Sequence, residues 1–334
     1  MNSRLVILLL PVVLLGQTWT IHPSGTTASL RGIGAVNPKI IWASGTGGTY
    51  LSTIDGGATW RVGVVPREEQ LDFRDIRVFN ARTAYLLSSG PGDKSRIYKT
   101  TDGGERWTLQ FTNPDAKGFF DAFAFWDEQH GIVLGDPVDG KFVILTTDDG
   151  GKTWKRSNGP PALPNEGAFA ASGTCLIAMR KQDAWFVTGG PGAARIFHTV
   201  DRAQNWSVSP TSIRNDGAAS GIFSIAFSDA QHGIAAGGDY DKPAENSHNI
   251  SITRNGGKTW TEPGGSPPAG YRSAVAFVKN HMWIAVGTSG SDVSFDDGNS
   301  WKTFDNGAYN AIVFVDGTGW AVGPKGRLAE FSSR

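Results

Sequence analysis

Only one cysteine, Cys175, occurs in the 334-residue chain. That excludes a disulfide framework and any thiolate-rich metal site. Cys175 stands in the apolar run Cys175-Leu176-Ile177-Ala178-Met179, so core packing is expected rather than a reactive thiol, which needs an exposed, electropositive setting. Net charge is also lacking: 31 Lys and Arg balance 31 Asp and Glu. Neither a basic nucleic-acid footprint nor an acidic solvating tail is expected. No glycine-rich dinucleotide fingerprint follows a strand and opens a helix, and no histidine cluster suits a metal. No cofactor and no metal are therefore expected. Helix-forming runs are few. One apolar run stands out, Leu5 to Leu15, interrupted only by Pro11 and preceded by Arg4. It is too short to span a bilayer, which takes about 20 residues. With small Gly16 at its end it reads as a secretory signal peptide over residues 1–16, cleaved before Gln17. An exported protein, periplasmic or extracellular, with no stable membrane span is expected.

What the chain has in excess is glycine, tryptophan and repetition. Glycine supplies 44 of 334 residues, against a usual share of about 7%. Twelve Trp and 18 Phe can build a sizeable core. Together they point to short strands joined by tight turns. The segment Thr53-Ile54-Asp55-Gly56-Gly57-Ala58-Thr59-Trp60 returns at Thr100–Trp107 and Thr147–Trp154. It returns again at Thr253–Trp260, with Asn255 for Asp, at Ser294–Trp301, and in decayed form at Thr199–Trp206. In each, glycine permits the positive φ of a tight turn, the Asp closes the turn onto backbone N–H groups, and the Trp packs beneath. Calcium binding is disfavoured, because an EF-hand loop needs more carboxylates and a terminal Glu.

A second pattern precedes each box: an apolar strand, a polar turn, and a second apolar strand ending in Gly. His130 and His232 fall in equivalent turns of it, and Trp42, Trp185, Trp283 and Trp320 fall in the second strand, where packing between units is expected. First strands begin near Arg31, Arg74, Asp121, Thr174, Phe223, Arg272 and Tyr309, which makes seven units. The seventh lacks a box and a last strand, whereas Thr18-Trp19-Thr20-Ile21 looks like a strand that follows a box. The expectation is an all-β, seven-bladed propeller over residues 17–334, one domain, with the N-terminal strand closing the ring and leaving no open edge.

The eight-residue boxes are Asp-boxes, and the chain resembles the BNR-repeat β-propellers. Within them it is most similar to the exported photosystem II stability and assembly-factor propellers, whose cadence Ala311–Gly323 follows. The resemblance implies structural box aspartates and a binding or assembly role. A protein segment or an anionic small molecule is the expected partner, and a monomer the expected state. The sequence places ligand residues at the central mouth, before the innermost strands. Arg31, Arg74 and Arg272 share one register there, with Tyr309 and Asn310 between them, and converging guanidiniums make an anion receptor. The alternative is that each Arg braces the ring through an Asp such as Asp75 or Asp121. Insertions in units 3 to 5 bring Asp136, Glu166, Asp239 and Tyr240 opposite. A sialidase-like glycoside hydrolase also has Asp-boxes and an arginine triad, and would need a Tyr nucleophile, its Glu partner and an acid/base Asp. Tyr309, Glu166 and Asp75 are the available assignments, but Leu30-Arg31-Gly32-Ile33 matches the early sialidase signature poorly.

Overall fold

Alternating apolar positions and turn glycines produce seven antiparallel sheets arranged as the blades of a ring. The structure is a computed structural model that describes residues 16–333. The segment read as a signal peptide lies, but for Gly16, outside them. Blade 1 is typical: strands Leu30–Asn37, Ile40–Gly45, Thr49–Thr53 and Arg61–Val64 pair in sequence order from the axis outward. Buried residues concentrate on the second and third strands, where each sheet packs against its neighbours, and the outermost strand is half exposed.

Blade 5 has three full strands, Ser220–Phe227, Gly233–Asp239 and Ile250–Thr253. Its fourth is reduced to the bridge Ile252–Thr261, ahead of the glycine- and proline-rich stretch 263–270. Proline has no N–H for a ladder, so the strand stops there. Blade 7 takes Ala311–Val315, Thr318–Val322 and Leu328–Ser333 from the end of the described chain and Gln17–His22 from its start. Gln17 pairs with Ser333, Trp19 with Phe331 and His22 with Leu328. Trp19 also donates to Ser291 Oγ of blade 6 at 3.0 Å, so this strand ties blade 7 to its neighbour as well.

Between blades, the expected aromatics do the packing. Trp42 stacks on Tyr50 of its own blade and meets Trp107 of the next, and Trp320 meets Trp60 edge-on. Cys175 is fully buried, and burial pushes its thiol well above its ordinary value. Among the described residues no helix is long and apolar enough to cross a membrane.

Candidate functional site

The innermost strands carry a repeated irregularity that builds the mouth. Leu30 pairs with Gly45 and Gly32 with Ser44, so Arg31 is skipped. Arg74 is skipped between Phe73 and Asp75, Asp121 between Phe120 and Ala122, and Phe223 between Ile222 and Ser224. A bulge leaves one residue without a ladder partner and re-aims its side chain. All four line a single central cavity of about 610 Å³.

The expectation that Arg272 shares this register, and that Tyr309 stands beside Asn310 at the mouth, is corrected. Gly287 abuts Arg272 Cα and Gly323 abuts Tyr309 Cα as Gly45 abuts Leu30 Cα. Arg272 and Tyr309 therefore stand one residue before the bulge, and a one-residue step sends a strand side chain to the opposite face. Arg272 is wholly buried. Its Nε donates to Asp292 Oδ2 at 2.6 Å, and its Nη1 donates to Tyr271 O at 2.7 Å and Ser289 Oγ at 2.9 Å. Tyr309 is buried against Trp19, with Arg327 over its ring. The bulge-equivalent residues in blades 6 and 7 are Ser273 and Asn310, and both line the cavity. The signal was present in the spacing: Gly287 follows Arg272 by 15 residues, as Gly45 follows Leu30 and Gly135 follows Phe120.

The glycosidase assignment is also corrected, because its three residues occupy three separate environments. Glu166 is buried in an ion pair with Arg195 and accepts from Thr188 Oγ1 at 2.6 Å. Asp75 accepts backbone N–H groups of Ile76 and Phe123 at 2.8 and 3.0 Å, and desolvation pushes it up to about 7. Tyr309 touches neither. A Tyr–Glu pair within hydrogen-bond reach, which a tyrosine nucleophile needs, is not formed by these residues.

Charge lines one side of the cavity. Arg74 Nε donates to Asp72 Oδ2 at 2.7 Å and Nη1 to Ala170 O at 3.3 Å, so its carboxylate partner is Asp72 rather than Asp75 or Asp121. Among the described residues Arg31 forms no ion pair, although the Asp72 carboxylate attracts it from a greater distance, and its buried Nε has no hydrogen-bond partner. Burial, then repulsion from Arg74, holds its guanidinium below its ordinary value. Asp121 is 1% exposed with Oδ2 unbonded, and Asp136 accepts from Ala168 N at 3.0 Å. Burial pushes Asp136 up to about 6. Burial, and then the Asp136 charge, pushes Asp121 well above the usual carboxylate range.

The other side is aromatic. Phe169 stacks on Phe223 with centroids 3.9 Å apart, Tyr271 meets Phe223 edge-on, and half-exposed Tyr240 stands perpendicular to both Phe rings. Phe169 lies flat because Gly189 and Gly221 bridge beneath it: a Cβ at Gly189 would stand 2.4 Å from its ring. It belongs to the inserted segment of blade 4, whose residues Ala168–Ala171 cross one wall of the cavity. Further along this segment, a Cβ at Gly173 would stand 2.3 Å from Asp75 Oδ1 of blade 2. Of the insertion residues named from the sequence, Asp136 and Tyr240 reach the cavity, whereas Asp239 caps its own turn through Asp241 N. Phe169 and Tyr271 were not singled out, since an aromatic before or inside a loop carries no repeat signature. Among the described residues no group of three or more His, Cys, Asp or Glu is placed to hold a metal ion.

Residues 75–209 and 113–263 match the sequence model of the family described as photosynthesis system II assembly factor YCF48. A relative, the photosystem II assembly lipoprotein Ycf48 of Synechococcus sp. (strain CC9902), is 21% identical over 323 residues, covering 93% of this chain and 87% of that protein. Among solved structures, a YCF48 bound to D1 peptide superposes with a TM-score of 0.66 at 16% identity, over 95% of this chain and 97% of the other. YCF48 from Cyanidioschyzon merolae gives 0.66 at 19% identity, over 94% and 98%. These two likenesses establish the shared propeller fold.

Proposed function

Because this chain belongs to the photosynthesis system II assembly factor YCF48 family, we propose that it is an exported, non-catalytic assembly or stability factor whose central mouth holds a carboxylate-bearing segment of a client protein. The observation that carries the reading is the cavity's composition. Two guanidiniums, one of them with an unused Nε, face a wall of four aromatic rings. Arginine binds carboxylates through its planar fork, and aromatic rings bury apolar side chains. A peptide presents both. The related YCF48 that holds a D1 peptide supports a peptide as the ligand class, and the lipoprotein relative supports export. The residues assigned to binding are Arg31, Arg74 and Asn310, joined by Tyr271 and Phe223. Arg272 and Tyr309 support them from within the blades.

Calorimetric titration of the mature chain with acidic peptides tests this. Arg31→Ala and Arg74→Ala are each expected to weaken binding, and the native affinity is expected to fall as salt rises. Binding that survives both substitutions together would exclude the mouth.

A further inference from the structure

The cavity's charge does not suit a carboxylate unless protons are present. On one side stand Arg31 and Arg74, the latter already paired with Asp72. On the other stand Asp121 from the inner strand of blade 3 and Asp136 from the strand beside it. With all three aspartates ionised the five groups sum to one net negative charge, and a ligand carboxylate meets repulsion. With Asp121 and Asp136 protonated the sum is one positive charge. The Asp121 carboxyl then also gains an O–H donor. Its Oδ2, on a side chain 1% exposed, bonds to no protein group, and the residue lines the cavity.

Resting on the function proposed above, we infer that the mouth takes up a carboxylate together with protons. The ligand oxygen accepts from the protonated Asp121 carboxyl while the Arg31 Nε–H donates to the same group. In the binding step an ionised Asp121–Asp136 pair plus one ligand carboxylate takes at least one proton from solvent, onto Asp121, and a second, onto Asp136, when both become neutral. No bond in the ligand is broken, and the protons remain on the aspartates. The groups that face the pair are Arg74 with Asp72 from blade 2, Asp75 deeper on the same strand, Cys175 where blade 4 enters, and Arg31 across the mouth, while Lys117 and the Arg195-paired Glu166 share a second pocket with Asp136. The only cation among those next to Asp121 is Arg74, and it is shared with Asp72. Desolvation by the surrounding blades favours the neutral pair, in keeping with the upward shifts of both carboxyls. Linkage requires the converse: the ligand's charge raises the pair's proton affinity by the same factor as the protons raise the ligand's affinity.

Three labelled hexapeptides of otherwise identical uncharged sequence test this by fluorescence anisotropy at fixed salt. One has a free C-terminal carboxylate, one is amide-capped with an internal Asp, and one is amide-capped without acid. The expected result is that a carboxylate peptide binds about tenfold or more tightly at about pH 5.5 than at about pH 8, as uptake of one proton allows. Comparison of the first two peptides identifies whether a terminal or side-chain carboxylate is taken, and either supports the inference. Asp121→Asn, which mimics the neutral acid, is expected to flatten this dependence. Asp136→Asn, at a less buried position, does the same if the first variant fails to fold. Equal affinity at both pH values overturns proton coupling and leaves the proposed function standing. A neutral peptide that binds as well as the acidic ones, or no binding by any of the three, overturns both.

Discussion

At the scale of the residue, the Asp-box shows how a short motif fixes a turn. Thr53 Oγ1 donates to Asp55 Oδ1 at 2.7 Å and accepts from Gly57 N at 3.0 Å, while Asp55 Oδ1 accepts from Thr59 N at 3.0 Å. The same bonds recur around Asp102, Asp149 and Asp296. These hydrogen bonds to the ionised form hold Asp55, Asp102 and Asp149 down to about 2, led by the Thr59 side chain for the first and by backbone N–H groups for the other two. A folded value below the unfolded one gives stability that is present above about pH 4 and lost as pH falls toward 2. Asn255 makes the equivalent bonds without a charge. Asp149→Asn, whose partner Thr153 can accept from an amide as Thr259 does, is therefore expected to leave the neutral-pH melting temperature nearly unchanged and to reduce its fall on acidification, measured by thermal melts from about pH 2 to 7. The Trp beneath a box matters more than the carboxylate. Trp154 is 8% exposed among Tyr85, Phe125 and their neighbours, and Trp154→Ala is expected to cost about 3–5 kcal/mol by denaturant unfolding. Asp149→Ala is expected to cost less.

At the scale of the element, register decides which side chains reach the mouth. Box positions were legible because six copies of one motif mark the same turn, and seven blades followed from counting the first strands, the seventh of which has no box. The closing strand was legible because Thr18-Trp19-Thr20 matches the strand that follows a box. The mouth was legible only in part. Arg31, Arg74 and Asn310 reach the cavity, but the alignment of repeats on their Phe and Trp positions sets Arg272 one residue out of register, since its spacing to Gly287 matches that of Leu30 to Gly45. A bulge is a backbone event with no residue signature of its own, so it shows only in that count. The aromatic wall was less legible still, because Phe169 comes from an insertion that repeats nowhere else. Two substitutions separate these roles. Arg272→Ala strands the buried Asp292 carboxylate and is expected to cost about 3–5 kcal/mol, whereas Arg31→Ala at the mouth changes stability little. Unfolding curves of the two variants side by side check this. Deletion of Gln17–His22 removes Trp19 from its aromatic cluster and bares the edge of Leu328–Ser333. Lower stability and aggregation are expected, read by melting temperature and light scattering. A truncated chain as stable as the intact one would contradict the closure.

At the scale of the whole molecule, the ring is uniform at its rim and chemically uneven at its axis. Repetition makes the outer turns alike, whereas the six bulge or bulge-equivalent positions that line the cavity vary, running from Arg31 and Arg74 through Asp121 and Phe223 to Ser273 and Asn310. A surface freed from the repeat in this way is where a partner is recognised. The measurement that tests this most directly is hydrogen exchange of residues 17–334 with and without a saturating acidic peptide, read segment by segment. The expected footprint is slowed exchange over 168–171, 240 and 271–273, with the Asp-box turns at 55–57, 102–104 and 149–151 unchanged. Protection confined to the box turns or the outermost strands, with the mouth segments unaltered, would contradict a central binding site.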